Sequence, residues 1–554
     1  MHDILQEMGR EVVRQESSED PSKRSRLWDP DDICYVLKND KGTDAIRSIR
    51  VDLSSFRKLK LSPHVFAKMT NLRYLDFIGK YDLELLPQGL QSFPTDLRYI
   101  CWIHYPLKSF PKKFSGKNLV ILDFSHSRVE NLWCGVQDLV NLKEVRLTSS
   151  RFLKELPDFS KATNLKVLNI TDCLSLESVH PSIFSLEKLV QLDLSHCFSL
   201  TTFTSNSHLS SLLYLNLGSC ISLRTFSVTT NNLIKLDLTD IGINELPSLF
   251  RCQSKLEILV LRKSEIEIIP SSIQNLTRLR KLDIRYCLKL LALPVLPLSV
   301  ETLLVECISL KTVLFPSTIS EQFKENKKRI EFWNCFNLDE HSLVNIGFNM
   351  KINLIKFAYQ HLLTLEHDDY VDSYADYEYN HSSYQALYVY PGSSVPEWLE
   401  YKTESNVREW LEYKTTEDDM IVNISPLHLS SLLGFVFCFV LAKVSNYCYK
   451  IVLNITAIDV EGDGEKDGVD IYMDVDRVCN NSDHVCMIYD PPFSQYLTRI
   501  AKNHTRFKIK VAARTKPNFQ RGSSKVELKG FGISPINHST YHNLKKWKLF
   551  DYCR

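Results

Sequence analysis

A short apolar phrase recurs through the middle of this chain and constrains the fold more than any other feature. The phrase is an apolar residue, two residues of any kind, an apolar residue, one residue and a third apolar residue. One copy runs from Leu165 through Leu168 to Ile170, and the next from Leu189 through Leu192 to Leu194. Other copies open at Leu72, Leu97, Leu119, Leu142, Leu212, Leu233, Leu256 and Leu279, with a degenerate copy near Ile49 and a shortened one at Val300.

The spacing of the copies identifies the architecture. Ten steps separate Leu72 from Val300, 228 residues later, so the mean period is about 23, inside the roughly 20–29 residues of a leucine-rich repeat. Each copy predicts a short strand and a return segment, which together cannot bury their apolar side, whereas stacked copies share one continuous core. We therefore predict an α/β leucine-rich-repeat solenoid, a horseshoe of about 12 repeats, over residues 46–320.

Charge and hydropathy narrow the classes of partner and compartment. Lys and Arg number 67 against 66 Asp and Glu, so no electrostatic argument favours nucleic acid or an anionic membrane as partner. The first ten residues lack the apolar core of a secretory signal, and the longest apolar run, Leu432–Ala442, is far shorter than the ~20 residues of a membrane helix. We expect a cytoplasmic protein, with the nucleus as an alternative compartment, whose 15 cysteines are free thiols.

Residues 1–45 precede the repeats and differ from them. Apolar residues at helical spacing predict an amphipathic helix over about 3–15. A second short helix is predicted over 31–38, with Asp29 as its N-cap and Pro30 at the first helical position. Because two short helices cannot bury a core, this segment is interpreted as the end of a preceding domain.

The sequence of this segment resembles that of a known family. Met1-His2-Asp3, the later Lys23-Arg-Ser-Arg-Leu-Trp-Asp29 and Gly42-Thr-Asp-Ala-Ile46 are similar to plant disease-resistance proteins of the TIR-type nucleotide-binding, leucine-rich-repeat class. The resemblance implies that residues 1–45 are the C-terminal remnant of the nucleotide-binding (NB-ARC) winged-helix region. It also implies that His2 and Asp3 are a remnant of the nucleotide site, where the family's His meets the phosphate of ADP; an imidazole N–H can donate to such an oxygen. The alternative is that His2 is an exposed terminal residue.

The same resemblance limits the chemistry expected of this chain. The family's phosphate-binding loop and its TIR domain, which cleaves NAD, are absent from these 554 residues. We therefore expect no bound cofactor here, although ADP or ATP belongs to the full-length family, and no enzymatic activity. No zinc-ligand spacing or nucleophile motif occurs. The segment Asp459–Asp470 resembles a calcium loop, but its flanks predict strands and Lys466 stands at the eighth position, so a solvated hairpin loop is favoured.

Cysteines recur just past several predicted strands. They are Cys173, Cys197, Cys220, Cys287 and Cys307. One interpretation is a metal or redox ladder. The favoured one is a column of small buried residues, because buried Cys behaves as a small hydrophobe and no Cys-x-x-Cys pair occurs.

Outward positions of the predicted strands line the concave face. One column is often basic (Arg73, Arg98, Lys143, Lys166, Arg280) and another often acidic (Asp76, Asp123, Asp193, Asp237, Asp283), and the two could pair across neighbouring strands. Aromatic residues and Arg dominate protein-binding hot spots. The predicted contact residues are therefore Tyr74, Tyr99, Trp102, Arg146, Tyr214 and Arg262.

A different pattern follows the repeats. Residues 321–386 predict a helical cap, with helical spacing over about 340–363, and an acidic, tyrosine-rich linker. From Leu387 the apolar period becomes two, which predicts an all-β sandwich over 387–540 and a tail over 541–554. Candidate strands are Ile421–Ile424, Leu432–Leu441, Lys450–Val460, Val469–Val475, His484–Tyr489, Phe507–Ala513 and Lys525–Ile533.

The start of that region also resembles the same family. Tyr390-Pro-Gly-Ser-Ser-Val-Pro-Glu-Trp398 is similar to the opening of its post-repeat domain, a jelly-roll or Ig-like module that helps the repeats bind a pathogen protein. The phrase Glu397–Thr403 recurs at Glu409–Thr415, and the extra copy is expected to loop out or to lengthen an edge.

Together these patterns predict part of an intracellular plant immune receptor. Its repeats and post-repeat domain would bind a pathogen effector or a guarded host protein and, in an intact receptor, would hold the nucleotide switch closed. The alternative is a stand-alone leucine-rich-repeat scaffold that binds a partner protein without a nucleotide switch.

Overall fold

The computed structural model divides into two compact units, Met1–Glu265 and Ile266–Arg554. It describes residues 3–56, 59–80, 83–244, 246, 255–365, 385–402, 419–423, 432–442, 448–459, 469–478, 482–504, 506–515 and 525–550. Within these residues, we find no helix with the length and hydropathy needed to span a lipid bilayer.

Two helices open the first unit, as predicted. They are α1 (Asp3–Glu16) and α2 (Pro30–Lys38). The carboxylate of Asp29 accepts hydrogen bonds from the backbone N–H groups of Asp31 and Asp32, which confirms the predicted N-cap. Helix α1 leaves most of its apolar side exposed, including Met8 and Val12, and buries Val13.

The repeats of the first unit stack through short parallel strands. Their bounds are β1 Arg26–Leu27, β2 Ser48–Asp52, β3 Tyr74–Ile78, β4 Tyr99–Trp102, β5 Ile121–Asp123, β6 Glu144–Arg146, β7 Val167–Asn169, β8 Gln191–Asp193, β10 Tyr214–Asn216, β12 Lys235–Asp237 and β13 Ile258–Val260. Each pairs in parallel with the next in this order. On the return side, β9 (Thr202–His208) and β11 (Thr225–Thr229) form a separate parallel pair.

This register buries the three apolar positions of the phrase. Leu165, Leu168 and Ile170, for example, are all fully buried. The strands are short because each repeat, or rung, must also contain the segment that returns the chain to the start of the next strand. Most of the stability therefore comes from apolar side chains buried between neighbouring rungs.

In the second unit the repeat strands lead directly into a larger sheet. Its elements are β14 Lys281–Arg285, β15 Ala292–Leu293, β16 Thr302–Glu306, β17 Thr312–Val313, β18 Arg329–Phe332, β19 Ala386–Pro391, β20 Tyr401–Lys402, β21 Asp419–Asn423, β22 Leu432–Leu441, β23 Cys448–Asp459, β24 Val469–Val478, β25 His484–Tyr489, β26 Arg506–Thr515, β27 Lys525–Val526 and β28 Leu528–Asn537. The helices are α3 Ile319–Gln322, α4 Glu340–Leu365, α5 Pro491–Asn503 and α6 His538–Phe550.

Strand direction changes at β19. Strands β14, β16, β18 and β19 pair in parallel. On its other side, β19 pairs antiparallel with β25, and β22, β28 and β20 continue the sheet antiparallel. Parallel pairing continues past residue 320, the predicted end of the repeats, because β18 pairs with β16 and Leu303 lies opposite Ile330.

A second antiparallel sheet, β21-β26-β23-β24 with β27 on β26, packs against this one. Phe437 and Ile533 of the first sheet share a buried core with Leu453 and Ile509 of the second. The strands β22 and β25 lie at their predicted bounds, and the other predicted strands overlap observed ones. Helix α4 confirms the helical run predicted over 340–363.

Helix α5 was not predicted, although Asp490 followed by two prolines is a helix-start signal, and the Asp490 carboxylate accepts from the N–H of Phe493. Strand β28 and helix α6 also carry regular structure past residue 533 and into the predicted tail. The predicted linker at 366–384, the second copy of the duplicated phrase at 409–415 and the centre of the calcium-like loop at 460–468 lie outside the described residues.

Candidate protein-binding face

The outward side chains of the first unit form two columns that run across its strands. Tyr74 lies opposite Tyr99 in the first column, and Asp76 lies opposite Cys101 in the second. Further along, Glu144 and Arg146 occupy the same two columns on β6. Because parallel strands lie about 4.8 Å apart, side chains in a column are close enough to touch.

An aromatic and charged cluster occupies β2 to β4. The rings of Tyr74 and Tyr99 stack with their centroids 4.3 Å apart and an interplanar angle of 9°. The Tyr74 hydroxyl donates to Asp76 Oδ2 at 3.1 Å, and Arg50 Nε lies 3.3 Å from the same oxygen. Burial and the Asp76 carboxylate raise the pKa of Tyr74, and burial raises the pKa of Tyr99, so both phenols remain neutral donors near neutral pH.

Arg146 and Tyr214 are accessible on this face. Arg146 pairs with Glu144 at 2.6 Å and lies 3.8 Å from Asp123, yet its side chain is 47% exposed. Tyr214 is 42% exposed and lies on β10, away from the Tyr74–Tyr99 stack. Arg262 is partly exposed but follows β13, in a turn, and so lies outside the strand columns.

Trp102 does not belong to this face, and its prediction as a contact residue is wrong. It occupies the third apolar position of its repeat, after Leu97 and Ile100, and lies opposite Phe77 in the register. Its side chain is 0% exposed and meets the Phe77 ring edge-on at 4.9 Å. The apolar phrase itself carried this information, because the third position of every copy points inward.

The predicted nucleotide-site remnant consists of His2 and Asp3. His2 lies outside the described residues. Asp3 is the first residue of α1. The assignment of these two residues to a nucleotide site therefore remains a prediction.

Carboxylates of the acidic column accept hydrogen bonds within the turns that follow their strands. Asp193 Oδ1 accepts from the backbone N–H of Ser195 at 3.0 Å and from its hydroxyl at 2.7 Å. Asp237 accepts from Thr239 in the same way. Each carboxylate thus holds the turn that leaves its strand. The predicted pairing between the basic and acidic columns is not seen for Lys143 or Lys166 among the described residues.

The cysteines of the column are all buried, which confirms the favoured interpretation of small buried residues. The thiol of Cys173 donates to the Leu147 carbonyl oxygen at 3.1 Å, and that of Cys220 donates to the Leu194 carbonyl oxygen at 3.2 Å. Burial raises the pKa of each of these two thiols to about 12, so they remain protonated. Among the described residues, no group of His, Cys, Asp and Glu side chains could hold a metal ion.

An asparagine ladder just before the strands was missed from the sequence. The side-chain amide of Asn141 donates to the Lys117 carbonyl oxygen at 2.9 Å, and that of Asn164 donates to the Val140 carbonyl oxygen at 2.7 Å. Each Asn directly precedes the first leucine of its copy. This recurrence at the repeat period was the signal that could have revealed the ladder.

Comparison with known proteins finds relatives among plant disease-resistance proteins. No protein-family model matches the chain. It is 38% identical to the disease resistance protein RPP2A of Arabidopsis thaliana over 300 residues, 53% of this chain and 21% of that protein. It is 31% identical to a further Arabidopsis thaliana disease resistance protein over 472 residues, 80% of this chain and 39% of that protein. The disease resistance protein RPV1 of Vitis rotundifolia is 35% identical over 212 residues, 34% of this chain and 15% of that protein.

Solved structures include a leucine-rich-repeat protein of Leptospira interrogans, 16% identical, with a TM-score of 0.31 over 62% of this chain and 97% of that one. The chain spans well under half the length of the curated relatives named here. The repeated phrase, the parallel ladder that it builds and these relatives lead to one conclusion. The chain carries leucine-rich repeats and is similar to plant disease-resistance proteins.

Proposed function

We propose that this chain is the sensor part of a plant immune receptor and binds a pathogen effector, or a host protein that an effector modifies, through the concave face of its repeats. The observation that carries the proposal is the stacked pair Tyr74–Tyr99 beside Arg50 and Asp76. Stacked, half-buried tyrosines lose little conformational entropy on binding, and their hydroxyl oxygens can accept hydrogen bonds from a partner. Arg146 and Tyr214 extend the same face.

The remaining regions take supporting roles in this proposal. Residues 1–45 are the end of the nucleotide-binding region, where His2 and Asp3 would contact ADP in an intact receptor. Residues 46–320, together with the further rung at β18, form the repeats, and residues 321–386 form the cap and linker. Residues 387–540 form a jelly-roll or Ig-like domain that contributes to recognition, and its two packed sheets support this assignment. Residues 541–554 are the tail.

Recognition would act as a shift of population. In an intact receptor the repeats would favour the closed, ADP-bound arrangement of the nucleotide switch, and the partner would bind the open arrangement more tightly. This chain would then have no catalytic role of its own, would need no cofactor to bind its partner and would act in the cytoplasm or the nucleus. No nucleic acid or membrane enters this mechanism.

A binding experiment tests the proposal. The tagged full chain is screened against pathogen effectors and host proteins, and each hit is titrated against the double variant Tyr74→Ala/Tyr99→Ala. We expect the double variant to weaken binding at least about tenfold, while a matched change of Tyr35→Ala, an exposed tyrosine on α2, leaves binding unchanged. Hits that bind the double variant as tightly as the parent chain would contradict the concave face as the binding site.

The alternative is a stand-alone scaffold without a nucleotide switch. The accessible concave face is compatible with it, because such a face binds a protein whether or not a switch is attached. Sequencing the transcript upstream of Met1 separates the two: an in-frame phosphate-binding loop supports the receptor, whereas an upstream stop codon with stable expression supports the scaffold.

A further inference from the structure

A row of basic side chains runs along the N-terminal edge of the strands in the first unit. Its members, here named the basic row, are Arg47, Arg73, Arg98, Lys143 and Lys166. Backbone hydrogen bonds connect these positions from rung to rung: the N–H of Arg73 donates to Arg47, that of Arg98 to Arg73, that of Val120 to Arg98, that of Lys143 to Val120 and that of Lys166 to Lys143, at 2.7–2.9 Å. The row is therefore continuous, with Val120 as its one apolar rung.

These cations are exposed, and the described residues offer them no ion-pair partner. All five residues are solvent-exposed. Across the described part of the chain, none of the observed ion pairs involves them. The acids that could have neutralised them are engaged elsewhere: Asp76 with Arg50, and Glu144 with Arg146. In the second unit, by contrast, Arg280 at the same position of the repeat pairs with Glu301 at 3.1 Å.

We propose that the basic row docks an acidic α-helix of a partner protein, laid across the strands. Six rungs about 4.8 Å apart extend over about 24 Å. A helix with one carboxylate per turn presents charges about 5.4 Å apart, a mismatch that long Lys and Arg side chains can absorb. An extended peptide with every second residue acidic spaces its charges at about 6.7 Å and loses register after two rungs. The fourth turn of the helix would carry an apolar residue against Val120.

A protein partner fits this surface better than a phosphate polymer does. The neighbouring column presents Tyr74, Tyr99 and Ile121, which suit side chains more than a sugar–phosphate backbone. A net charge of +1 for the whole chain adds no long-range attraction for nucleic acid. The inference deepens the proposed function and rests on it, because it names the chemistry of a protein partner.

The test uses the full chain and a fluorescein-labelled helical peptide of about 22 residues, with Glu on one stripe at one per turn and Leu at the fourth turn. A second peptide of the same composition distributes its Glu residues around the helix. The basic-row variant is Arg73→Gln/Arg98→Gln/Lys143→Gln. The control variant is Lys112→Gln/Lys113→Gln/Lys161→Gln, which removes the same charge from exposed lysines of return segments. Fluorescence anisotropy gives the affinities, and thermal unfolding checks that both variants fold.

We expect the basic-row variant to bind the striped peptide about tenfold more weakly than the parent chain at low salt. The affinity of the control variant should lie within about twofold of that of the parent chain. The affinity should fall as the salt concentration rises from 50 to 300 mM, because the screening length shortens and the attraction between charges weakens. Equal binding of both peptides, or equal losses in both variants, would overturn the proposal. So would single-stranded DNA or anionic vesicles that bind more tightly than the peptide and depend on the same three residues. Because the Tyr74→Ala/Tyr99→Ala titration uses other residues and another ligand, either result can fail while the other stands.

Discussion

The Sγ atom of Cys197 lies 3.2 Å from the backbone carbonyl oxygen of Ile170, one repeat earlier in the chain. Ser150 makes the equivalent contact, since its hydroxyl donates to the Phe124 carbonyl oxygen at 2.9 Å. The position therefore selects a small side chain with a hydrogen-bond donor. Cysteine chemistry as such is not required there.

This equivalence predicts how Cys197 tolerates substitution. Cys197→Ser should cost less than about 1 kcal/mol of the free energy of unfolding, because a hydroxyl can keep the hydrogen bond. Cys197→Leu should cost about 1–3 kcal/mol, because extra methylene groups overpack a buried turn. Urea unfolding of the full chain measures both. A serine variant as unstable as the leucine variant would contradict the equivalence with Ser150.

Thiol reactivity should follow burial. Cys134 is exposed, whereas Cys173 and Cys220 are buried and burial raises the pKa of each thiol to about 12. At pH 8 we expect iodoacetamide to label Cys134 in the folded chain and the buried pair only after denaturation, because the thiolate is the reactive species. Peptide mass spectrometry after timed labelling reads each site. Rapid labelling of Cys173 in the folded chain would show that the column is open to solvent.

Trp102 and Tyr214 should differ sharply in their contribution to stability. Trp102→Ala should lower the free energy of unfolding by about 3–5 kcal/mol, because it empties a fully buried aromatic site. Tyr214→Ala should change it by less than about 0.5 kcal/mol, because that ring is 42% exposed. Chemical denaturation of the two variants makes the comparison. A small effect of Trp102→Ala would mean that the tryptophan is not part of the core.

His484 should make the second unit sensitive to acid. Its Nδ1–H donates to the Ser482 carbonyl oxygen at 2.9 Å, and its Nε2 accepts from the N–H of Asn334, just after β18, at 3.0 Å. Burial lowers the pKa of His484 from its usual 6.5 to about 4, although Asp483 opposes the shift. Between these values the unfolded chain binds the extra proton, so this contribution to stability is complete above pH 6.5 and is lost as the pH falls toward 4.

The size of the acid effect can be bounded and controlled. The difference between the pKa of His484 in the unfolded and folded chain corresponds to at most about 3 kcal/mol of the free energy of unfolding. Unfolding free energies of the full chain at pH 7, 6, 5 and 4 measure it, and His484→Gln, which cannot take up the proton, should flatten the part of the profile between pH 6.5 and 4. An unchanged slope in that variant would assign the acid sensitivity to other groups.

Much of the architecture follows from the sequence by itself. The phrase at Leu165, Leu168 and Ile170 specifies a rung because three inward side chains at that spacing have one way to share a core with their neighbours. The Cys173 position follows in the same way, since a small residue must fill the turn off the strand. Strands such as β22 were also predictable, because a continuous apolar run between turn signals has few alternatives.

Tertiary structure decided how these pieces meet. Long-range pairing selects the partners of β19, which joins β18 in parallel and β25 antiparallel, and no local pattern near residues 386–391 encodes that choice. The same is true of the charges: Arg50 pairs with Asp76 of the next strand, while Lys143 and Lys166 form no ion pair with any acid in the described part of the chain. Periodicity determines which side chains point outward, because it is a property of the backbone. Which of them remain free to bind depends on distances between rungs, and those exist only once the chain has folded.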